Sequence, residues 1–169
     1  VHFILGHEMG GRVEKIGSNV KGLQPGDKVA IDPIIWCGEC AACKAGHYPA
    51  CTSLKLIGID LDGGFAELVN VPATMLFKAD PSVPDLHVAL TEIYSIGFHA
   101  SRRAGVQANE TLAIWGAGRV GNVILQAART KTEKEIFLVD VLESRLENAR
   151  KFYEQVITIN ALQENPVEV

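Results

Sequence analysis

Long apolar runs are the first thing this sequence lacks: none approaches the ~20 residues that a membrane-spanning helix needs, which excludes helical insertion into a bilayer. It also lacks an excess of positive charge. Lys and Arg number 16 against 20 Asp and Glu, for a net charge of −4, and the basic residues are scattered, with no stripe that would form a nucleic-acid surface. No secretory leader pattern is present, and the chain opens on Val1 without a methionine. It closes abruptly at Asn165-Pro166-Val167-Glu168-Val169, so both ends read as cuts through a longer polypeptide. Cysteine is scarce too, with four in all. What is plentiful is ordinary core material: 169 residues at 47% hydrophobic content suffice for one large or two small domains.

All four cysteines fall in one short stretch, Cys37, Cys40, Cys43 and Cys51. Two-residue gaps let a tight turn bring neighbouring sulfurs onto one metal, so this spacing suits a tetrahedral zinc ion with bonds of ~2.3 Å. A closed shell of four sulfurs leaves no open position, which makes the predicted site structural. An even count would also permit two disulfides. Disulfide-built domains are typically short, secreted and poor in core, whereas this chain carries patterned apolar segments enough for a core, so the spacing points to zinc in a reducing cytoplasm.

Residues 4–32 read as short strands between glycine and proline turns. Arg12–Ile16 alternates polar and apolar, and the Gln24-Pro25-Gly26-Asp27 turn leads into a strand over Lys28–Ile31. Gly10-Gly11 implies a bulge or the close approach of another group. Two more strands are expected, Leu56–Ile59 and Phe65–Val71, around the turn at Asp62-Gly63-Gly64. Glu67 on the second of these reads as a solvated strand carboxylate without a role. Gly6-His7-Glu8 stands at the head of the unit. Imidazole is the commonest metal ligand, and the adjacent carboxylate can ligate or support it, although a hydrogen-bonded structural histidine fits the same residues.

Gly6-His7-Glu8, Pro25-Gly26-Asp27-Lys28-Val29, the four-cysteine lobe and Asp62-Gly63-Gly64-Phe65-Ala66-Glu67, in this order, resemble the zinc-containing medium-chain alcohol and polyol dehydrogenases. The four-cysteine lobe, Gly6-His7-Glu8 and a glutamate at position 92 look more like the sorbitol, threonine and butanediol dehydrogenase branch than like simple ethanol-oxidising enzymes. The resemblance implies a GroES-like, β-rich catalytic domain over residues 1–87, followed over residues 88–169 by part of a Rossmann doubly wound parallel sheet. It makes the cysteine lobe a structural zinc site and His7 a ligand of a separate catalytic zinc, with Glu8 a ligand or close supporting partner. Family members supply a further cysteine ligand and a proton-relaying Ser or Thr, and both would precede Val1. A homo-oligomer, dimer or tetramer, is implied for the full-length protein.

The proline-punctuated stretch Asp80-Pro81-Ser82-Val83-Pro84-Asp85 reads as a hinge. A helix follows from Val88 to Ala100, interrupted at Gly97. Glu92 falls where many family members place a glutamate near the catalytic zinc, usually before proline; here Ile93-Tyr94 follow instead. A carboxylate on an apolar helix needs a cation or donor, which a metal would supply and which Arg102, Arg103 or solvent would supply equally. His99 reads as a core or interface histidine, and His2, His47 and His87 have no motif around them.

The second half opens on an apolar strand, Thr111–Trp115, running into Gly116-Ala117-Gly118-Arg119-Val120-Gly121 and a helix to about Arg129. Strand, glycine turn and helix are the context that gives this motif meaning. The first glycine permits the turn, the second lets a pyrophosphate approach, and the third lets helix and strand pack; Arg119 and Val120 open the helix whose N–H groups face the anion. Asp140 ends the next strand, Glu135–Asp140, where an acid accepts hydrogen bonds from the adenosine ribose hydroxyls and repels a 2′-phosphate. That argues for NAD over NADP, with Arg145 as the opposing hint. A serine-capped helix, Ser144–Phe152, and a strand, Gln155–Asn160, complete β-α-β-α-β.

Together these readings predict a zinc- and NAD-dependent oxidation of a small secondary alcohol, a polyol, sugar acid or hydroxy amino acid. The alternatives are an inactive zinc- and nucleotide-binding piece of such an enzyme, or a zinc-free quinone or enoyl reductase of the same fold.

Overall fold

Gly26 adopts φ +89°, and the turn it makes returns the chain so that β2 (Lys28–Ile31) lies antiparallel to β1 (Gly10–Arg12). The computed structural model describes residues 3–168; Val1, His2 and Val169 lie outside it. Its contacts divide the chain into two units, Val1–Glu92 and Ile93–Val169.

In the first unit β2 is the central strand of a three-stranded antiparallel sheet, flanked by β1 and by β5 (Leu76–Lys78), with Gly11 opposite Val29 and Ala30 opposite Phe77. All four residues of β2 are buried, as a strand paired on both edges should be. A second pair, β3 (Ile34–Ile35) with β4 (Lys55–Leu56), carries a long excursion between its strands. That excursion holds the short helix α1 (Ala41–Lys44) and all four cysteines. Met9, Ile31 and Ile57 form the core, with Ile35, Val69, Val71 and Leu76 packed against them.

The strand expected over Arg12–Ile16 sits earlier. Pairing with β2 continues only as far as Val13, whose N–H donates to Asp27 O and whose carbonyl accepts from Gly26 N–H, and beyond it residues 14–16 have no partner strand among the described residues. Leu56–Ile59 is strand only at Lys55–Leu56, because Gly58 (φ +82°) turns the chain. Phe65–Val71 is not a strand. Its first N–H, that of Phe65, reaches Leu5 O, but no ladder follows, and only Val69 and Val71 turn inward.

Helix α2 (Asp85–Ala89) lies on β1 at Gly10, where a Cβ would stand 2.8 Å from the Ala89 nitrogen; the glycine pair thus marks a close approach rather than a bulge. The helix expected over 88–100 breaks at Leu90, the C-cap of α2, and resumes as α3 (Thr91–Arg103). Gly97 does not interrupt it. There α3 presses on the helix α4 (Arg119–Arg129), so that a Cβ would meet the Val123 carbonyl at 2.5 Å.

In the second unit β6 (Leu112–Trp115), α4, β7 (Ile136–Asp140), α5 (Glu143–Phe152) and β8 (Val156–Asn160) alternate, and the strands pair in parallel in the order β6-β7-β8. Parallel strands buried on both faces need continuous apolar runs, and Ile136, Leu138 and Val139 on β7 supply one. Ile114, Leu125, Ala128, Leu146 and Ala149 complete that core. Ser144 does not cap α5: the helix begins one residue earlier, with Leu142 at the cap position and its N–H donating to Asp140 Oδ1 at 2.9 Å.

Candidate metal centres and nucleotide loop

Gly38 at φ +79° turns the chain between Cys37 and Cys40, and Cys40 then caps α1, which carries Cys43. The four Sγ atoms lie within 4.8 Å of one another. Cys51 and Cys37 are 3.5 Å apart and Cys37 and Cys43 3.9 Å, far beyond a disulfide bond, and all four thiols are free. A tetrahedron with ~2.3 Å zinc–sulfur bonds has edges of about 3.8 Å, so the spacing and the all-thiolate donor set fit zinc.

Backbone N–H groups point at the sulfurs: Cys40 to Cys37, Cys43 to Cys40, and both Cys37 and Ser53 to Cys51, at 3.4–3.5 Å. Such donors favour the thiolate. The N–H groups of Cys43 and Thr52 lower the Cys40 pKa to about 6. Burial acts the other way at Cys43, pushing its pKa up to about 12. Trp36 and Tyr48 stack at 4.2 Å beside the lobe.

The second cluster joins residues 84 positions apart in the chain, within the first unit. His7, Glu8 and Glu92, all half-buried, each present a ligand atom within 4.8 Å of the others. Gly6 (φ +106°) aims the pair His7-Glu8, and its carbonyl accepts from Gly64 N–H at 2.9 Å. The approach is so close that a Cβ on Gly58 or Gly63 would overlap the Gly6 carbonyl oxygen. Glu92 enters from the first turn of α3. One imidazole nitrogen and two carboxylate oxygens are a donor set that zinc accepts. Of the other residues considered, Glu67, His47, His87 and His99 are exposed and stand outside both clusters, and His2 lies outside the described residues.

In the second unit the glycine run forms the junction of β6 and α4. Gly116 takes φ +100°, which a side chain would strain. Gly118 is the N-cap of α4 and carries no capping side chain. Gly121 is packed so tightly that a Cβ would overlap the Gly116 carbonyl oxygen. Arg119 and Val120 open α4, as expected.

Asp140 ends β7, and its side chain is only 4% exposed. Oδ2 accepts from the Ala117 N–H at 2.7 Å and lies 3.4 Å from Arg145 Nη1, while Oδ1 accepts from Leu142. Burial by itself raises the carboxyl pKa; the two N–H donors and the Arg145 guanidinium outweigh it and leave the pKa below its ordinary value. A depression of about 770 Å³ opens beside the loop, with Gly118, Arg119 and Asn122 on one wall and Ser144, Arg145 and Asn148 on the other.

Two residues here escape sequence reasoning. Asn122 donates from its side chain to the carbonyls of Ala117 and Gly118, and Lys28 is buried with Nζ donating to Pro81 O and Val83 O. A polar residue one position past a glycine motif and a lysine opening a strand carry no such signal.

The alcohol dehydrogenase GroES-like domain model matches residues 1–85. Among curated relatives, sorbitol dehydrogenase of Bacillus subtilis is 36% identical over 150 residues, 88% of this chain and 42% of that protein. Among solved structures, a protein assigned as a zinc-binding dehydrogenase from Sinorhizobium meliloti, bound to NADP, superposes with a TM-score of 0.92 at 33% identity, over 98% of this chain and 48% of that one. An alcohol dehydrogenase of Escherichia coli CFT073 complexed with NADH does so with a TM-score of 0.85 at 29% identity, over 97% of this chain and 48% of the other. The chain belongs to the alcohol dehydrogenase GroES-like domain family, and the zinc-type alcohol and polyol dehydrogenases are its relatives. It spans under half the length of those relatives.

Proposed function

We propose that this chain carries the zinc-binding part and the adenosine-binding part of an NAD-dependent dehydrogenase of secondary alcohols, with a GroES-like catalytic domain over residues 1–87 and a nucleotide-binding domain over 88–169. The observation that carries this is the meeting of His7, Glu8 and Glu92 in one cluster, with a separate four-thiol cluster elsewhere in the first unit. Cys37, Cys40, Cys43 and Cys51 hold a structural zinc; His7, with Glu8 and Glu92, holds the catalytic one. Zinc at the second site supplies Lewis acidity toward the alcohol oxygen. A zinc-free reductase has no use for that convergence.

Gly116, Gly118, Arg119, Val120 and Gly121 receive the cofactor's pyrophosphate, and Asp140 receives its adenosine ribose. A carboxylate offers about four lone-pair directions, and Ala117, Leu142 and Arg145 occupy three. Binding both ribose hydroxyls therefore requires the 3.4 Å contact with Arg145 to yield. A 2′-phosphate would meet the carboxylate's negative charge, which supports NAD. The proposed substrate is a polyol, sugar acid or hydroxy amino acid, and the sorbitol dehydrogenase among the relatives supports the polyol.

The chain's coverage of under half of its relatives favours a second reading for the chain by itself, in which it binds zinc and nucleotide without turnover. The deciding experiment is zinc content together with turnover of an alcohol panel with NAD and NADP, on the complete protein and on this chain. Zinc at both sites and NAD-linked oxidation are expected of the complete protein. Alcohol oxidation that survives His7→Ala with the second zinc gone overturns the catalytic-zinc reading.

A further inference from the structure

Ala117 lies at the centre of the glycine loop, is 2% exposed, and is held from both sides. Its N–H donates to Asp140 Oδ2 at 2.7 Å. Its carbonyl accepts from Asn122 Nδ2 at 2.7 Å, and the same nitrogen lies 2.9 Å from the carbonyl oxygen of Gly118. Asn122 also donates its own backbone N–H to Gly118 O at 3.0 Å, the first hydrogen bond of α4. One residue thus binds two successive carbonyls of the loop through its side chain and one of them again through its backbone.

Two consecutive carbonyls drawn toward α4 fix the planes of the peptides that follow Ala117 and Gly118. Each peptide carries its N–H opposite its carbonyl. With the carbonyls turned down onto Asn122, the N–H groups of Gly118 and Arg119 are set on the opposite side of their peptide planes. A phosphate-binding loop needs its N–H groups aligned before the anion arrives, because ordering them on binding costs affinity. The flanking glycines leave the loop free to take other conformations, since Gly116 sits at φ +100° and Gly118 lacks a Cβ.

We propose that Asn122 is a positioning residue that presets the Gly116–Gly118 loop for a dinucleotide pyrophosphate, by donating its side-chain amide to the carbonyls of Ala117 and Gly118. The proposal rests on the reading of this loop as a nucleotide site. Asp140 holds the peptide on the other side of the same residue from the β7 side, so the ribose-binding carboxylate and the pyrophosphate loop form one hydrogen-bonded unit with Ala117 as its link.

The test compares ADP with adenosine, by NMR titration of this chain, in wild type and Asn122→Ala. NADH affinity is followed by fluorescence. Losing loop preorganisation should weaken ADP and NADH by about tenfold while adenosine changes by less than about twofold. A purely structural role would lower the melting temperature and leave the ADP-to-adenosine ratio of the folded protein unchanged, and that result overturns the proposal. If Asn122→Ala does not fold, Asn122→Leu, which keeps the side-chain volume but has no donor, is read the same way. Wild-type protein that binds neither NADH nor ADP overturns the nucleotide reading itself, whereas wild-type binding with an unchanged ratio in the variant overturns only the role of Asn122.

Discussion

The Oδ2 atom of Asp140 lies 2.7 Å from the backbone nitrogen of Ala117, so the carboxylate that ends β7 grips the loop that ends β6. Replacing Asp140 therefore acts at two levels. On the proposed nucleotide reading, Asp140→Ser removes the acceptor for the ribose and the charge that opposes a 2′-phosphate, and it frees Arg145 of its ion pair. NADH affinity should fall about tenfold to a hundredfold, the worth of one or two charge-assisted hydrogen bonds, while NADPH affinity rises. Parallel fluorescence titrations with the two cofactors check this, and an unchanged preference would remove Asp140 from the site.

The same carboxylate sets a pH dependence. Its pKa in the folded chain is below the ordinary 3.8, so the stability it contributes is fully present above that value and is lost as pH falls through the folded value. Asp140→Asn cannot titrate. The stability difference between wild type and this variant, from urea melts, should hold constant from pH 7 to about pH 5 and shrink below about pH 4. A difference that grew on acidification would contradict the assignment.

At the cysteine lobe, Cys43→Ser removes one of the two buried thiols of the four. One zinc per chain should disappear from metal analysis, and the melting temperature should fall with it, because metal binding to such a site is coupled to folding by several kcal/mol. His7→Ala should remove only the other zinc and leave the melting temperature nearer to that of wild type. Equal metal loss in both variants would mean that the two clusters do not bind independently.

How much of this was legible beforehand depends on the range of the interaction. The loop from Gly116 to Gly121 and the acid at Asp140 were readable because strand, turn, helix and strand follow one another within the 29 residues from Leu112 to Asp140, each marked by local pattern. The four cysteines were readable for the same reason. Glu92 beside His7 was reachable only through family resemblance, since composition and period say nothing of what meets across 84 intervening positions. Strand extents failed where the partner decides them: Arg12–Ile16 alternates correctly, yet pairing stops at Val13 because β2 turns back at Asp27. Gly97 looked like a helix breaker because its value lies in α4, against the Val123 carbonyl.

Gly121 tests the packing of the nucleotide unit most directly. A methyl group there would overlap the Gly116 carbonyl oxygen, a backbone atom that cannot move without distorting the turn at φ +100°. Gly121→Ala should cost about 2–3 kcal/mol by overpacking, outweighing the modest helix-propensity gain of alanine. Chemical denaturation measures it, and a neutral result would mean that the β6–α4 junction is looser than described.

Lys28 makes the last case, since a buried lysine is tolerated only where its ammonium is fully met. Its side chain is 8% exposed, yet Nζ donates to Pro81 O and Val83 O and pairs with Asp85 Oδ1 at 2.9 Å. Three acceptors match the three donors of an ammonium group, so the proline-rich segment 80–85 is fastened to β2 by a single side chain. Lys28→Met preserves the packing of the stem but leaves the Pro81 and Val83 carbonyls without their donor, while Asp85 keeps its 3.3 Å pair with Arg12, and should cost about 2–4 kcal/mol. Asp85, by contrast, is 71% exposed and can turn to water, so Asp85→Asn should cost far less than Lys28→Met. If urea melts find the two substitutions equivalent, the ion pair and not the carbonyls is what fastens the segment.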